Sequence, residues 1–350
     1  MSARLLVTQP GPQTTVQDLG RVGAQAYGVP VCGALDMVAL RLANALVGNE
    51  PGAAALECRL IGPAFTVEGG PVRLALAGAE ATIQVTCEVA RGDETRSYPA
   101  WRAIDVPEGA GVRIGTLRGS GAAVLAVAGG FDVPVVLNSR ATDLKGGFGG
   151  LGGRALTAGD RLPVGTGAPE GPCLELPRPP SLAFDGMLRV VPGPQDDAFT
   201  QDGLATFLGS TYRVSREADR MGIRLEGAPL AFHTSADITS DGIATGAIQV
   251  PGSGLPIVLL ADHQTVGGYA KIATVISADL PRAGRLTPGA ELRFRAVSVT
   301  EAEEARRALE REIAALVASL TPVRAAAEID LAALYATNLI SGVVTACDPE

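Results

Sequence analysis

Residues 263–275, HQTVGGYAKIATV, hold Lys271, one of only two lysines among the 29 basic residues of this 350-residue chain. The other, Lys145, stands in DLKGGFGGLGG. Arginine takes every remaining basic position, so lysine is confined to two glycine-rich places. An ammonium is a compact charge with rotatable donors and an adjustable pKa, whereas a guanidinium is planar and permanently charged. A site that neutralises one developing oxyanion, or passes one proton, suits the former. Lys271 is therefore the first catalytic candidate, set against the plain alternative of a surface lysine. Upstream, SDGIATGAIQVPGSGLPIVLLADHQ places Asp241, Gln249, Asp262 and Gln264 among glycines and prolines. Carboxamides and carboxylates can hold an amide-like substrate, donating to its oxygen and accepting from its nitrogen. Asp262 and Gln249 join Lys271 as the candidate catalytic set, with Asp241, Gln264 and Tyr269 as candidate binding residues. Asp241 and Asp262 equally suit the capping of turns.

Two further segments carry polar groups in irregular surroundings. KGGFGGLGG contains G-x-G-x-x-G from Gly147 to Gly152. A dinucleotide fingerprint needs a strand before it and a helix after it. The next residues are RALTAGDRL, a polar turn and strand, so a Rossmann site is rejected; no Walker sequence is present either. Lys145, Gly146, Gly147 and Gly149 remain as a loop that either closes a structural turn or offers backbone N–H groups to an anion such as a nucleotide phosphate. In TTVQDLGRVGAQAYGVPVCGALD, Gln17, Asp18, Arg21 and Asp36 either bind, with Gln17 and Arg21 as the candidate substrate-binding residues, or fix an irregular segment.

The elements that would position these groups read mainly as strands. PVRLALAGAEATIQVTCEVA alternates Val72, Leu74 and Leu76, then Ile83 and Val85, around a turn at Gly78, which predicts one buried face. AAVLAVAGG and LPIVLLAD are short apolar runs ended by Gly or Asp, as central strands are, and their loops lie at a sheet rim where binding residues gather. Helices are few. Asp36 caps DMVALRLANALVGN, with Leu40, Ala43 and Val47 on one face and Gly48 as the left-handed terminator. A C-terminal helix starts at a Thr300–Glu303 capping box and carries a stripe of Ala305, Leu309, Ile313, Leu316 and Leu320, expected to dock on its own domain.

Length favours two domains. Residues 165–180, GTGAPEGPCLELPRPP, hold five prolines and read as an extended linker. RLIGPAFTV from Arg59 is similar to RLEGAPLAF from Arg224, and GRALTAGDRL from Gly153 to GRLTPGAEL from Gly284. Both pairs keep the same order on either side of the linker, which points to a duplication. The expected division is 1–164 and 182–299 for the domains, 165–181 for the linker, and 300–350 for the C-terminal helix and tail.

A net charge of −8 without a basic cluster excludes nucleic acid as a main partner. No stretch is long and apolar enough for a membrane span or a signal peptide, so a cytoplasmic location is expected. Five scattered cysteines then read as reduced thiols, and two histidines without C-x-x-C make a metal site improbable.

The segments TTVQDLGRVGAQAYGVPVCGALDMVALRLANALVGN, AALECRLIGP, GGFDVPVVLNSRATD, SREADRMGIRLEG, SDGIATGAIQVPGSGLPIVLLADHQTVGGYAKIATV and LTPGAELRF are long and specific. Together they resemble the biotin-dependent carboxyltransferase family, which includes allophanate hydrolase subunit 2, the antikinase partner KipA, the C subunit of 5-oxoprolinase and a segment of urea carboxylase. The resemblance implies a mainly β protein of two cyclophilin-like β-barrel domains with a few helices and a C-terminal helix. It implies a small amide substrate, urea or 5-oxoproline, and places Glu57 of AALECRLIGP among the binding residues. The implied partners are a B subunit, similar to KipI and to allophanate hydrolase subunit 1, and an A subunit of the same enzyme. ATP with Mg would be bound by the complex. Biotin would arrive only on another protein, since the chain has no Met-Lys-Met carrier motif. Three activities fit the resemblance: ATP-dependent lactam opening, carboxyl transfer from carboxybiotin to an amide, and non-catalytic binding of a kinase inhibitor.

Overall fold

Apolar runs broken by glycine and proline assemble here into sheets, and the computed structural model describes residues 3–90, 92–166 and 171–323. The first half forms two sheets around one core. Six strands run in the order Arg161–Pro163, Arg4–Gln9, Ala64–Glu68, Gly111–Ile114, Thr82–Val89, Gly92–Pro99. Five more run Gln13–Gln17, Ala55–Arg59, Ala122–Val127, Val72–Ala77, Ala103–Val106. The second half is a closed barrel of seven strands, Met187–Pro192, Lys271–Val275, Ala247–Gln249, Ile257–Leu259, Gly222–Glu226, Tyr212–Val214 and Glu291–Ala296, with its own core. A two-stranded ribbon of Asp237–Gly242 and Val266–Tyr269 adjoins it. The described residues are thus mainly β, with four α-helices among them: α1 (Met37–Leu46), α2 (Gln201–Gly209), α3 (Leu280–Gly284) and α4 (Val299–Ala318).

Ala122–Val127 is the central strand of its sheet, as its sequence predicts. Val72–Ala77 departs from the expected one-sided burial, for all six residues are buried. Helix α1 lies against it and against Ala122–Val127. Alanines at 75 and 77 permit that two-sided cover, and Arg73 is accommodated by pairing with Asp105 at 2.7 Å. Gly78, at φ +91°, lets α1 close in, because a Cβ there would stand 2.7 Å from the Ala39 methyl. Asp36 caps α1, accepting from the N–H groups of Val38 and Ala39 at 3.0 and 2.9 Å, and Gly48 ends it at φ +79°.

Helix α4 is capped by Ser298 and Glu301, two residues before the Thr300–Glu303 pair. Both pairs have S/T-x-x-E spacing, but strand Glu291–Ala296 ends just ahead of Ser298 and delivers it in extended geometry. The helix docks on its own chain: Ile313 is buried, and Arg41 of α1 binds Glu310 at 2.7 Å. Residues 324–350, which include most of the expected tail and Cys347, lie outside the described residues. The proline-rich segment is extended from Gly171 onward and lies on the first half. Arg73 donates to Gly171 O and Pro172 O, Leu174–Glu175 pairs with Thr321–Pro322, and Leu176 N donates to Trp101 O at 2.9 Å.

The similar segments TAGD and TPGA make matching turns, with Gly159 at φ +92° and Gly289 at +88°. The strands after them pair differently: Arg161–Pro163 runs antiparallel to Arg4–Gln9, and Glu291–Ala296 parallel to Met187–Pro192. The halves also touch closely. Cys32 N donates to Ala261 O at 3.0 Å, Gly121 N to Arg285 O at 2.7 Å, and Arg285 pairs with Asp36. Among the described residues no helix is long and apolar enough to cross a membrane, and no group of three or more His, Cys, Asp or Glu could hold a metal.

Candidate functional site

Lys271 is not a surface lysine. Its side chain is 3% exposed, and Nζ donates to Asp241 Oδ2 at 3.0 Å. A β-bulge puts it there. Ala247 and Ile248 face Thr274 and Ala273, but Gln249 faces Lys271, so Ile272 is the extra residue. Such bulges re-aim side chains near functional sites. Asp241 comes from the ribbon, opposite Gly267, and is half-exposed. The hydrogen bond from Lys271 holds its carboxyl below the usual Asp range. Gln195, in the turn after Met187–Pro192, braces both: its Oε1 accepts from Lys271 N at 3.1 Å and its Nε2 reaches Asp241 Oδ2 at 3.5 Å.

A cleft of about 290 Å³ lies between the halves. The first half contributes residues 28–30, Asp143, Lys145, Gly146 and Phe148, and the second half residues 262–266. Lys145 and Gln264, distant in sequence, thus line one cleft from opposite halves. Gln264 Nε2 donates to Gln249 Oε1 at 3.1 Å, which ties the cleft wall to the Lys271 strand. Gln249 Nε2 is buried without a partner, and glycine is required beside it at 267, since a Cβ there would come within 2.6 Å of that nitrogen. Lys271 itself does not line the cleft. The two lysines therefore belong to separate groups joined by a carboxamide pair, not to a single charged pocket. Tyr269 stands on the ribbon opposite Asp237, outside the cleft lining.

Asp262 and Glu57 are engaged elsewhere. Arg220, 2% exposed, donates through Nε and Nη2 to both oxygens of Asp262, at 2.9 and 2.8 Å, and through Nη1 to Glu57. Its Nη2 also reaches Gly33 O at 2.7 Å, and the second oxygen of Glu57 accepts from Leu35 N at 2.6 Å. Burial opposes the charge of Arg220, and the two carboxylates more than reverse that, holding its pKa above the ordinary range. The geometry makes these two acids part of a buried ion network between the halves, with their oxygens turned to Arg220 and to the backbone.

The glycine-rich loop closes on itself. Asp143 Oδ1 accepts from Lys145 N and Gly146 N, Asp143 O accepts from Gly147 N, and Gly150 N donates to Arg140 O. Backbone N–H groups at 145–147 are therefore already used, and an anion here would meet side chains instead. Gly149 serves close approach: a Cβ would stand 2.1 Å from Ala141 O and 2.8 Å from Arg21 Nη2. Gln17 is buried inside the first half, donating to Thr15 Oγ1 and Thr142 O. Asp18 fixes the irregular segment, accepting from Gly20 N, Ser139 Oγ and Arg140 N. Arg21 is fully buried, with its guanidinium carbon 4.9 Å from the Phe148 ring centroid.

Gln195, Arg220 and His263 were not singled out by sequence. Gln195 stands amid polar turn residues and gives no local signal, while Arg220 lies in SREADRMGIRLEG as one arginine among many. His263 lines the cleft, fully buried. Its Nδ1 lies 2.6 Å from Gln264 O, which can only accept, so Nδ1 carries the proton and Nε2 accepts from Thr245 Oγ1 at 3.0 Å. Burial lowers its pKa from 6.5. A lowered folded pKa means that the His263 contribution to stability is complete above about pH 6.5 and lost as pH falls toward the folded value. Proton NMR should show His263 titrating below the ordinary histidine range, with stability declining in the same window. An unshifted titration would contradict the dry environment.

A two-sheet half and a closed barrel, meeting at a cleft that Gln264 and Lys145 line, place the chain in one class. The family model for the carboxyltransferase domain, subdomain A and B, matches residues 27–296, and the chain belongs to that family. Within it, the chain is 40% identical to the C subunit of the Escherichia coli 5-oxoprolinase, over 88% of this chain and 96% of that protein. It is 34% identical to the Haemophilus influenzae protein of the same name, over 84% of this chain and 92% of the other. The crystal structure of the K. lactis urea amidolyase superposes with a TM-score of 0.80 at 28% identity, over 89% of this chain and 20% of that one.

Proposed function

We propose that the chain is the C subunit of an ATP-dependent 5-oxoprolinase and, with the A and B subunits, cleaves 5-oxoproline to glutamate. The observation that carries this reading is the near end-to-end likeness to the E. coli C subunit, which the chain spans over 96% of its length. In this reading the lactam sits at the interdomain cleft, where Gln264, braced by Gln249, holds its N–C=O unit. Water adds across the C–N bond while ATP is hydrolysed to ADP and phosphate. The amide oxygen gains negative charge on the way, and Lys271, kept in place by Asp241 and Gln195 behind the Gln249–Gln264 pair, opposes that charge from outside the cleft lining. ATP with Mg is held by the assembled complex, since the 145–147 amides are used within their own loop. The second reading, carboxyl transfer from carboxybiotin to urea or a similar amide, is supported by the likeness to urea amidolyase. It needs biotin on another protein.

Co-expression with the A and B subunits tests the choice. The KipI-like B subunit should co-purify stoichiometrically, and 5-oxoproline-dependent ATP hydrolysis should require all three chains. Urea carboxylation by the chain with a biotin carboxylase and a carrier, without such hydrolysis, would favour the second reading. A monomer by light scattering that ignores the KipI-like partner would count against both the complex and the first reading.

A further inference from the structure

We infer that the interdomain cleft contains a receptor for a carboxylate, with Arg21 as its buried part and Lys145 as its exposed part, so that its ligand is a small amide bearing a negative charge and not a neutral one. This rests on the cleft being the substrate site proposed above.

Three arginines are buried among the described residues: Arg21, Arg73 and Arg220. Arg73 is paired with Asp105, and Arg220 with Glu57 and Asp262. Arg21 differs. Its Nη2 donates to Ala141 O, while Nε and Nη1 are buried without a partner in the protein. A guanidinium stripped of water with two of its three nitrogens unpaired is unfavourable. The group that best relieves a guanidinium with two donors to spare is a carboxylate, which matches its fork.

The cleft gives such a group a route. Phe148 lines the cleft and its ring lies 4.9 Å from the Arg21 guanidinium carbon, so it is the cover between them. The cover sits on a loop with Gly147 and Gly149 on either side, both at positive φ. Lys145, exposed, lines the same cleft. Of the acids of the wall, Asp262 is paired with Arg220, and Asp143 gives Oδ1 to the N–H groups of Lys145 and Gly146. Lys145 in the lining and Arg21 against the Phe148 ring thus set two cations on the first-half side, and Gln264 supplies the amide-binding group on the opposite half. Urea would draw nothing from the cationic side. A lactam carrying a carboxylate would use both sides.

Having only two lysines makes the test direct. Reductive ¹³C-methylation labels exposed Lys145, and its methyl signal can be followed in the full chain, alone and assembled with its unlabelled partners. The probes are 5-oxoproline, the neutral lactam 2-pyrrolidone, and inorganic phosphate. The expected result is a Lys145 shift with 5-oxoproline, at an affinity about tenfold or more above 2-pyrrolidone, the scale of one charge-assisted hydrogen bond. Phe148→Ala, which uncovers Arg21, should tighten 5-oxoproline and leave 2-pyrrolidone unchanged. Arg21→Met should shrink the preference for 5-oxoproline, and Arg21→Met with Lys145→Ala should bring the two lactams to equal affinity. If that variant fails to fold, Phe148→Ala and Lys145→Ala decide. Equal affinities in the wild type, indifference to Phe148→Ala, or phosphate binding in preference to 5-oxoproline would each overturn the receptor while leaving the cleft as a substrate site. Silence toward both lactams in the assembled complex would overturn the cleft reading and the receptor with it.

Discussion

An Arg220→Met variant should lose about 3–5 kcal/mol of stability, the usual cost of leaving buried charge without its partner. Two carboxylates would be stranded, Glu57 from the first half and Asp262 from the second, each nearly free of solvent. Their separation in the chain matters as much as their burial. Arg220 reaches Glu57 across 163 residues and also caps Gly33 O, so it fastens the first half to the barrel. Denaturant unfolding followed by circular dichroism should show a lower midpoint and a transition that divides in two, as each half unfolds on its own core. Adding Glu57→Gln removes one stranded charge and should restore part of the loss. The double-mutant cycle then isolates the coupling. A variant as stable as wild type would show that the network contributes nothing net, a result known for buried ion pairs replaced by apolar groups of similar size.

Elements whose signal is local were legible in the sequence. The apolar run at 122–127 reads as a central strand, and Asp36 and Gly48 mark the ends of α1 through their own cap chemistry. The rarity of lysine pointed to Lys271, and the structure shows it buried against Asp241. What failed to be legible is set by contacts far apart in the chain. Nothing beside Asp262 or Glu57 announces that both face one arginine. The Ile272 bulge, which sets Lys271 opposite Gln249 in the ladder, leaves no mark in a run of alternating apolar residues. The two-sided burial of Val72–Ala77 depends on α1 crossing it, which a period-two pattern cannot express. Glycines near Lys145 looked equally like an anion loop and a closed turn, and the choice came from Asp143, whose carboxylate takes the loop amides.

Lys271→Met should separate folding from activity. Methionine keeps most of the unbranched stem and removes the ammonium, so the buried channel stays filled. The partner left behind, Asp241, is half-exposed and regains water, unlike the carboxylates stranded by loss of Arg220. Removing a buried cation also removes its desolvation penalty, so the melting temperature should stay close to that of wild type. Turnover should not. If the ammonium opposes charge on the lactam oxygen from behind the Gln249–Gln264 pair, its loss should lower 5-oxoproline-dependent ATP hydrolysis about tenfold or more, short of the roughly 10²–10³ of a donor in direct contact. Lys271→Arg tests the same site by shape: the broader guanidinium must enter a buried space cut for a single chain, so overpacking of about 1–3 kcal/mol accompanies the lost turnover. Asp241→Asn should weaken activity less, since it leaves the ammonium in place and releases only one of its supports. Co-purification with the KipI-like partner should survive in all three variants, which keeps a catalytic defect apart from failed assembly. Full turnover in the Lys271→Met complex would return the lysine to a structural role and leave the chemistry to the cleft residues around Gln264.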